Sequence, residues 1–178
     1  MTDGAPTALR LARWTVTSGS SVNSRAAVVL RAAHHDWQAA AEGNGAVDAL
    51  LRAVNLALAD VLGGAPLLLA YDVHALAEGP DAEGHVTVRI APPPNAAGPR
   101  ADGRYTGEVA STNTVAASVE AYVVALNAML ADGAWAGAAA DAGARRGKTT
   151  GGEPGTAAAE YDDDEAARPI DTTAWFNR

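Results

Sequence analysis

The 178-residue chain contains no cysteine, which removes disulfides, thiolate catalysis and cysteine-based metal sites and says nothing about compartment. Lysine occurs once, at Lys148, so Schiff-base chemistry and a lysine clamp on phosphate have almost nothing to work with. Basic residues are scattered through a chain of net charge −8, and the basic stripe that nucleic acid or an anionic membrane surface requires is missing. Apolar runs fall short of the ~20 residues of a membrane span, and the opening MTDGAPTALRLARW lacks the apolar core of a secretion signal. The expectation is a soluble cytoplasmic protein, with no nucleic-acid or membrane partner and no residue set that calls for a cofactor.

What the chain does have is a repeat. Glu42–Asp60 (EGNGAVDALLRAVNLALAD) returns 72 residues later as Ala117–Asp132 (ASVEAYVVALNAMLAD). Asn55/Asn127, Leu58/Leu130 and Asp60/Asp132 are among its identical pairs, and Asp48/Glu120 keeps its acid. Both copies are rich in Ala, Leu and Val, free of proline, and preceded by a Gly/Ser/Thr/Asn cluster, which predicts two capped helices. Alternating segments precede each: Leu9–Thr17, Arg25–Ala33 and His34–Ala41 before the first, and Leu67–Ala77, His85–Ala91 and Gly103–Ala110 before the second. Trp14/Tyr71, Val16/Val73, Val28/Val86, Leu30/Val88 and Trp37/Tyr105 match between the halves and read as packing positions. Gly63-Gly64-Ala65-Pro66 ends the first helix, and Pro92–Asp102 reads as a mobile loop.

Each half is therefore strand–strand–strand–helix. The fold class expected is α+β in two layers, an internally duplicated pair of βββα units. Residues 1–8 form an arm, 9–132 the folded domain (repeats 9–62 and 67–132), and 133–178 a disordered acidic tail ending in Trp175 and Phe176. Polar residues make only a thin strip on either helix, which predicts cover on two sides, by sheet and by another subunit, and hence a homodimer.

Unpaired N–H groups at a helix start attract a carboxylate, and flanking glycines let a ligand approach the backbone. The alternative is that these residues are only caps and turns. His34-His35-Asp36 suggests a metal, but strand neighbours point to opposite faces, so no metal site is expected there. His74 and His85 flank one hairpin, and with an acid such as Asp72, Asp81 or Glu83 they are the candidates for proton transfer. An ordinary, partly exposed sheet position is the favoured reading of both.

Three separated motifs, GNGAVDALLRAV (Gly43–Val54), YDVHALAEGPDAEGHVTV (Tyr71–Val88) and GEVASTNTVAASVEAYVVALN (Gly107–Asn127), resemble the C-terminal regulatory domain of 2-isopropylmalate synthase, which citramalate synthase shares. The resemblance spans about Leu9 to Leu130. It implies a dimerising pair of βββα units that binds an end-product amino acid, leucine for isopropylmalate synthase, and inhibits a separate catalytic barrel. No counterpart of that barrel lies in this sequence, so the chain is expected to be non-catalytic and to regulate or assemble with a separately encoded acyl-CoA-condensing synthase, through Trp175 and Phe176 of the tail. Carried over by position, the family's effector pocket falls on Gly43, Asn44, Gly45, Val47 and Asp48 at the first junction. At the second it falls on Ser111, Thr112, Asn113, Val115 and Ala116, with Tyr71 and Ala75 from the nearby strand. Ala46 stands where the family often has proline, and Asn113 where it often has aspartate. A small enzyme using His74, His85 and Asp72 on the same fold, and a bare dimerisation scaffold, are the competing readings.

Overall fold

The structure is a computed structural model that describes residues 8–148 other than 80, 97–100, 102 and 136. Three strands, β1 (Arg10–Gly19), β2 (Val22–Ala32) and β3 (His35–Gly43), form one antiparallel sheet in sequential order and lead into α1 (Ala46–Ala57) and a single further turn, α2 (Ala59–Leu62). The pattern then repeats as β4 (Leu67–Ala75), β5 (Gly84–Ala91), β6 (Tyr105–Ser111) and α3 (Thr114–Ala131). The duplicated α+β architecture is the one the sequence predicts.

The middle strand of each sheet carries the core face. Ala26, Val28, Leu30 and Ala32 on β2, and Val86, Val88 and Ile90 on β5, are buried at every second position, the period a strand covered on one side requires. The cover is helical: Ala49, Leu50, Ala53, Val54 and Ala57 of α1 lie on the first sheet, and Ala117, Ala121, Ala125, Leu126 and Met129 of α3 on the second. Small residues let α3 come close. A methyl group at Gly107 of β6 would lie 2.0 Å from the Ala121 carbonyl oxygen, so the helix backbone rests almost directly on the strand. Gly63, with φ 68°, supplies the left-handed cap that ends α2.

The repeated asparagines join the two units. Asn127 clamps the start of β1, accepting from the Leu9 N–H (2.8 Å) and donating to the Leu9 carbonyl (2.7 Å). In the other half the place of Leu9 is taken by Pro66, which has no N–H to give. Asn55 instead accepts a hydrogen bond from the Tyr122 hydroxyl at 2.5 Å, tying α1 to α3. The second cover expected from another subunit is thus partly provided within the chain, where the two helices meet; Leu56 and Val124 stay exposed.

Several expectations are corrected. The β1–β2 connection is tighter than the gap between the expected segments Leu9–Thr17 and Arg25–Ala33, because the strands run on to Gly19 and start at Val22. Trp37 faces Leu30 while Gly107, not Tyr105, faces the matching Val88. Aromatic identity suggested the wrong pairing by two residues. Matched through Ala46 and Ser118, α3 begins one helical turn before α1, so the two junctions differ in build. The loop after β5 starts anchored: Pro92 and Pro93 are buried and Asn95 donates to the Gly63 carbonyl at 2.6 Å. Part of the expected tail is ordered, with a 3-10 turn at Gly133–Trp135 and a helix α4 at Ala138–Lys148. Trp135 and Ala142 are buried, Gly143 packs on the His35 ring, and Arg145 donates to the Asp60 carbonyl. The Ala/Gly composition that reads as disorder is what lets this helix lie close. The acidic run and the Trp175–Phe176 pair lie outside the described residues.

Candidate functional site

At the first junction the chain turns from β3 into α1 through Gly43, Asn44 and Gly45. Gly43 is buried, and a methyl there would meet the Ala49 amide nitrogen at 2.4 Å. Gly45 caps α1 with extended backbone and no side-chain bond. Asp48 supplies what the cap lacks. Its carboxylate accepts from the Asn44 N–H (2.9 Å) and from Arg52 Nε (2.9 Å). The Arg52 hydrogen bond first, and the Asn44 N–H second, hold the carboxyl below its ordinary range. The positive end of α1 is therefore already faced by the chain's own carboxylate. A ligand carboxylate, expected there from sequence, would meet negative charge. Val47 is half-buried beside it.

The second junction carries no acid. Ser111 ends β6 and its hydroxyl accepts from the Asn113 N–H (3.1 Å); Asn113 caps α3 by accepting from the Ala116 N–H (3.0 Å). Thr112 is exposed, and Val115 and Ala116 are half-buried in the first turn. Register lines up Ala75, Gly84 and Ser111 across the sheet, so the strand end that holds Ala75 lies level with this helix start. Tyr71 comes to the same place by a bond the sequence did not suggest. Its hydroxyl lies 2.8 Å from Ser118 Oγ, which donates to the Thr114 carbonyl at 2.5 Å. Ser118 has one proton and spends it on Thr114, so Tyr71 is the donor to Ser118. A methyl at Gly84 would lie 2.6 Å from the Thr114 methyl and 3.7 Å from Val73. Tyr71, Val73, Gly84, Thr114 and Ser118 thus form one wall at the mouth of α3, without a charge and with three hydroxyls.

Sequence reading missed Gly84, Thr114 and Ser118. The legible signal was the Thr114/Ser118 spacing, which places both hydroxyls on one helix face. The Gly43–Asp48 group and the Ser111–Ala116 group close the ends of different sheets.

His74 and His85 are direct cross-strand partners, beside the Asp72–Thr87 pair. A further acid, not named from sequence, reaches them from the neighbouring strand: His85 Nε2 is 3.7 Å from Glu108 Oε2, on the sheet face away from α3. Glu108 reaches His85 because β6 lies beside β5, a neighbour that hairpin spacing alone does not reveal. His34 lies in an exposed turn, the His35 ring tilts against Trp37 with centroids 5.8 Å apart, and Asp36 is held by Arg31 through two 2.6 Å hydrogen bonds. No cluster of three metal-ligating side chains occurs among the described residues. α3 has the length and apolar character of a membrane span, with half of it buried in the domain.

Residues 2–130 match the family model of the LeuA allosteric (dimerisation) domain. The 2-isopropylmalate synthase of Prochlorococcus marinus (strain MIT 9303) is 40% identical over 121 residues, covering 65% of this chain and 19% of the relative. That of Aromatoleum aromaticum is 37% identical over 103 residues, 58% of this chain and 18% of the relative. That of Nitrosococcus oceani is 36% identical over 116 residues, 65% of this chain and 20% of the relative. The chain spans about a fifth of the length of the curated relatives it matches.

Proposed function

The chain belongs to the LeuA allosteric (dimerisation) domain family, and from that premise we propose that it is a non-catalytic regulatory module. It binds a branched-chain amino acid or a related small carboxylate, dimerises, and regulates or assembles with an acyl-CoA-condensing synthase. The observation that carries the reading is the contrast between the two junctions. The start of α1 is faced by Asp48, while the start of α3 opens beside hydroxyls of Tyr71, Thr114 and Ser118 and an apolar Val73. The α3 end supplies the positive end of a helix and the exposed Thr114 hydroxyl for a carboxylate, and apolar surface for a branched side chain; the Tyr71 and Ser118 protons are already engaged within the wall. Of the positions carried over by resemblance, Tyr71, Ala75, Ser111, Thr112, Asn113, Val115 and Ala116 are the assigned binding group, and Gly43–Asp48 a structural cap.

The test is calorimetric titration of leucine, isoleucine, valine, their 2-keto acids and isopropylmalate into the protein. Binding that weakens at least about tenfold in Thr114→Val supports the assignment. Binding untouched there but lost in Asp48→Asn would move the site to the first junction.

The His85–Glu108 pair favours a second reading, an enzyme that moves a proton on the opposite sheet face. Turnover abolished by His85→Gln, with the Thr114→Val variant still active, would select it.

A further inference from the structure

We propose that the outer face of the first sheet seats the acidic run at residues 160–165 of the same chain. Along the sequence, Arg10, Arg13, Arg25 and Arg31 look scattered. Strand alternation sends every second side chain to one face, and register gathers these four. Arg10 lies opposite Arg31, which lies opposite Asp36; Arg13 shares a row with Val29 and Gln38, and Arg25 with Thr17 and Glu42. These rows interleave with those of the buried Leu30, Val28 and Ala26, so all four arginines are on the side of the sheet away from α1. Four arginines against Asp36 and Glu42 leave the face with positive charge in excess.

Two details favour an anion there. Arg10 and Arg31 are direct cross-strand partners, and like charges placed directly opposite are destabilising. The carboxylate in their row, Asp36, has both oxygens engaged by Arg31. Arg25 reaches Glu42 through Nε at 2.9 Å while 78% of its side chain stays exposed, and a guanidinium has five N–H donors to offer. The duplicated sheet is an internal control. Its outer face sets Arg89 against Asp72 and Glu108, so the fold itself does not require a basic surface.

Charge, length and starting point select the occupant. Glu160, Asp162, Asp163, Asp164 and Glu165 are five carboxylates in six residues, the group that guanidinium binds in forked pairs. The described chain ends with α4, whose Gly143 packs on the His35 ring. His35 starts β3, one residue before Asp36 of the arginine row. From Gly143 to Lys148 the helix advances about 8 Å, and the eleven residues 149–159 reach up to ~36 Å. Arg25 and Arg31 mark the ends of the face on β2, about 20 Å apart, which is the extended length of a six-residue run. Any other anion must displace the tail to use this face. The inference is independent of the ligand at the α3 mouth, which belongs to the other sheet.

Nuclear magnetic resonance of the full chain tests this, with a nitroxide on Ala166→Cys, a unique thiol in a chain without cysteine. The expected result is loss of the Arg13, Val29 and Gln38 amide signals, with Thr87 and Arg89 on the second sheet unaffected. The signals should return in about 1 M salt, where charges are screened beyond about 3 Å. They should also return in the combined Asp162→Asn, Asp163→Asn, Asp164→Asn variant, which leaves residues 8–148 unaltered. Arg10→Glu with Arg13→Glu should do the same, its own spectrum reporting that it folds. Equal loss on both sheets, or loss that survives both salt and the tail variant, overturns the proposal. So does equal loss when the isotope and the nitroxide are carried on different chains in a mixture, which puts the tail on a second copy. Signals untouched by the nitroxide but shifted by added poly-aspartate assign the face to an anion from outside the chain, and overturn it as well.

Discussion

Replacing Gly107 with alanine adds one methyl group at the point where β6 and α3 are closest. That carbon would lie 2.0 Å from the Ala121 carbonyl oxygen, 2.6 Å from the Ala125 amide nitrogen and 3.0 Å from Val124 Cβ. Two of the three obstacles are helix backbone, which no rotamer change relieves. α3 must retreat by more than about 1 Å, opening gaps around the fully buried Leu126 and Met129. Overpacking costs about 1–3 kcal/mol, and an obstruction by backbone belongs at about 3 kcal/mol. With a urea dependence near ~2 kcal/mol per molar for a domain of this size, the midpoint should fall by about 1.5 M. Gly133→Ala is the control, since nothing lies within 4 Å of a methyl there; it should stay within about 0.5 kcal/mol of the parent. Equilibrium urea unfolding followed by circular dichroism measures both. A Gly107→Ala protein within about 0.5 kcal/mol of the parent would refute the claim that close helix-to-strand contact is what the glycine provides.

Other perturbations follow from the same geometry. Ala33 sits at φ 51° in the two-residue β2–β3 turn, so Ala33→Gly should stabilise by about 0.5–1 kcal/mol in the same urea assay. Asn127→Ala leaves the Leu9 N–H and carbonyl without their partners and should cost about 2–3 kcal/mol. Burial first, and the bond to Asp132 second, push the Tyr105 hydroxyl up to about 12; burial drives Tyr122 upward as well. Their contribution is complete below the ordinary tyrosine pKa of about 10 and is lost as pH rises from there to about 12. Melting temperature should fall across that window, and less steeply in Tyr105→Phe. Gly84→Ala displaces the Thr114 methyl, a movable group, and should weaken ligand binding about tenfold in calorimetry while costing less than about 1 kcal/mol of stability.

The fold was largely legible because both of its periods are written in the chain. The two-residue alternation on β2 and β5 and the doubled Ala/Leu/Val helix state which faces are covered. What stayed hidden was position along the elements. Trp37 and Tyr105 look alike but sit two residues out of register, since bulk at one position answers a glycine at the other. The α4 segment has no apolar period, and its small residues pack by close approach at His35 rather than by a stripe. For the candidate site, the resemblance gave the helix starts but not their difference in charge. That difference comes from Asp48 folding back on Asn44, and from Tyr71 reaching across to Ser118. The first is a local fold-back over four residues; the second depends on where β4 lies relative to α3, which spacing alone does not contain.

The central claim is that the mouth of α3 takes a small branched carboxylate. Calorimetric titration of leucine and its relatives into the unmodified protein addresses it most directly. The account predicts saturable one-site binding by at least one of them, with a melting temperature that rises with ligand concentration. No heat from any of these ligands, with melting unchanged at millimolar concentrations, would contradict it.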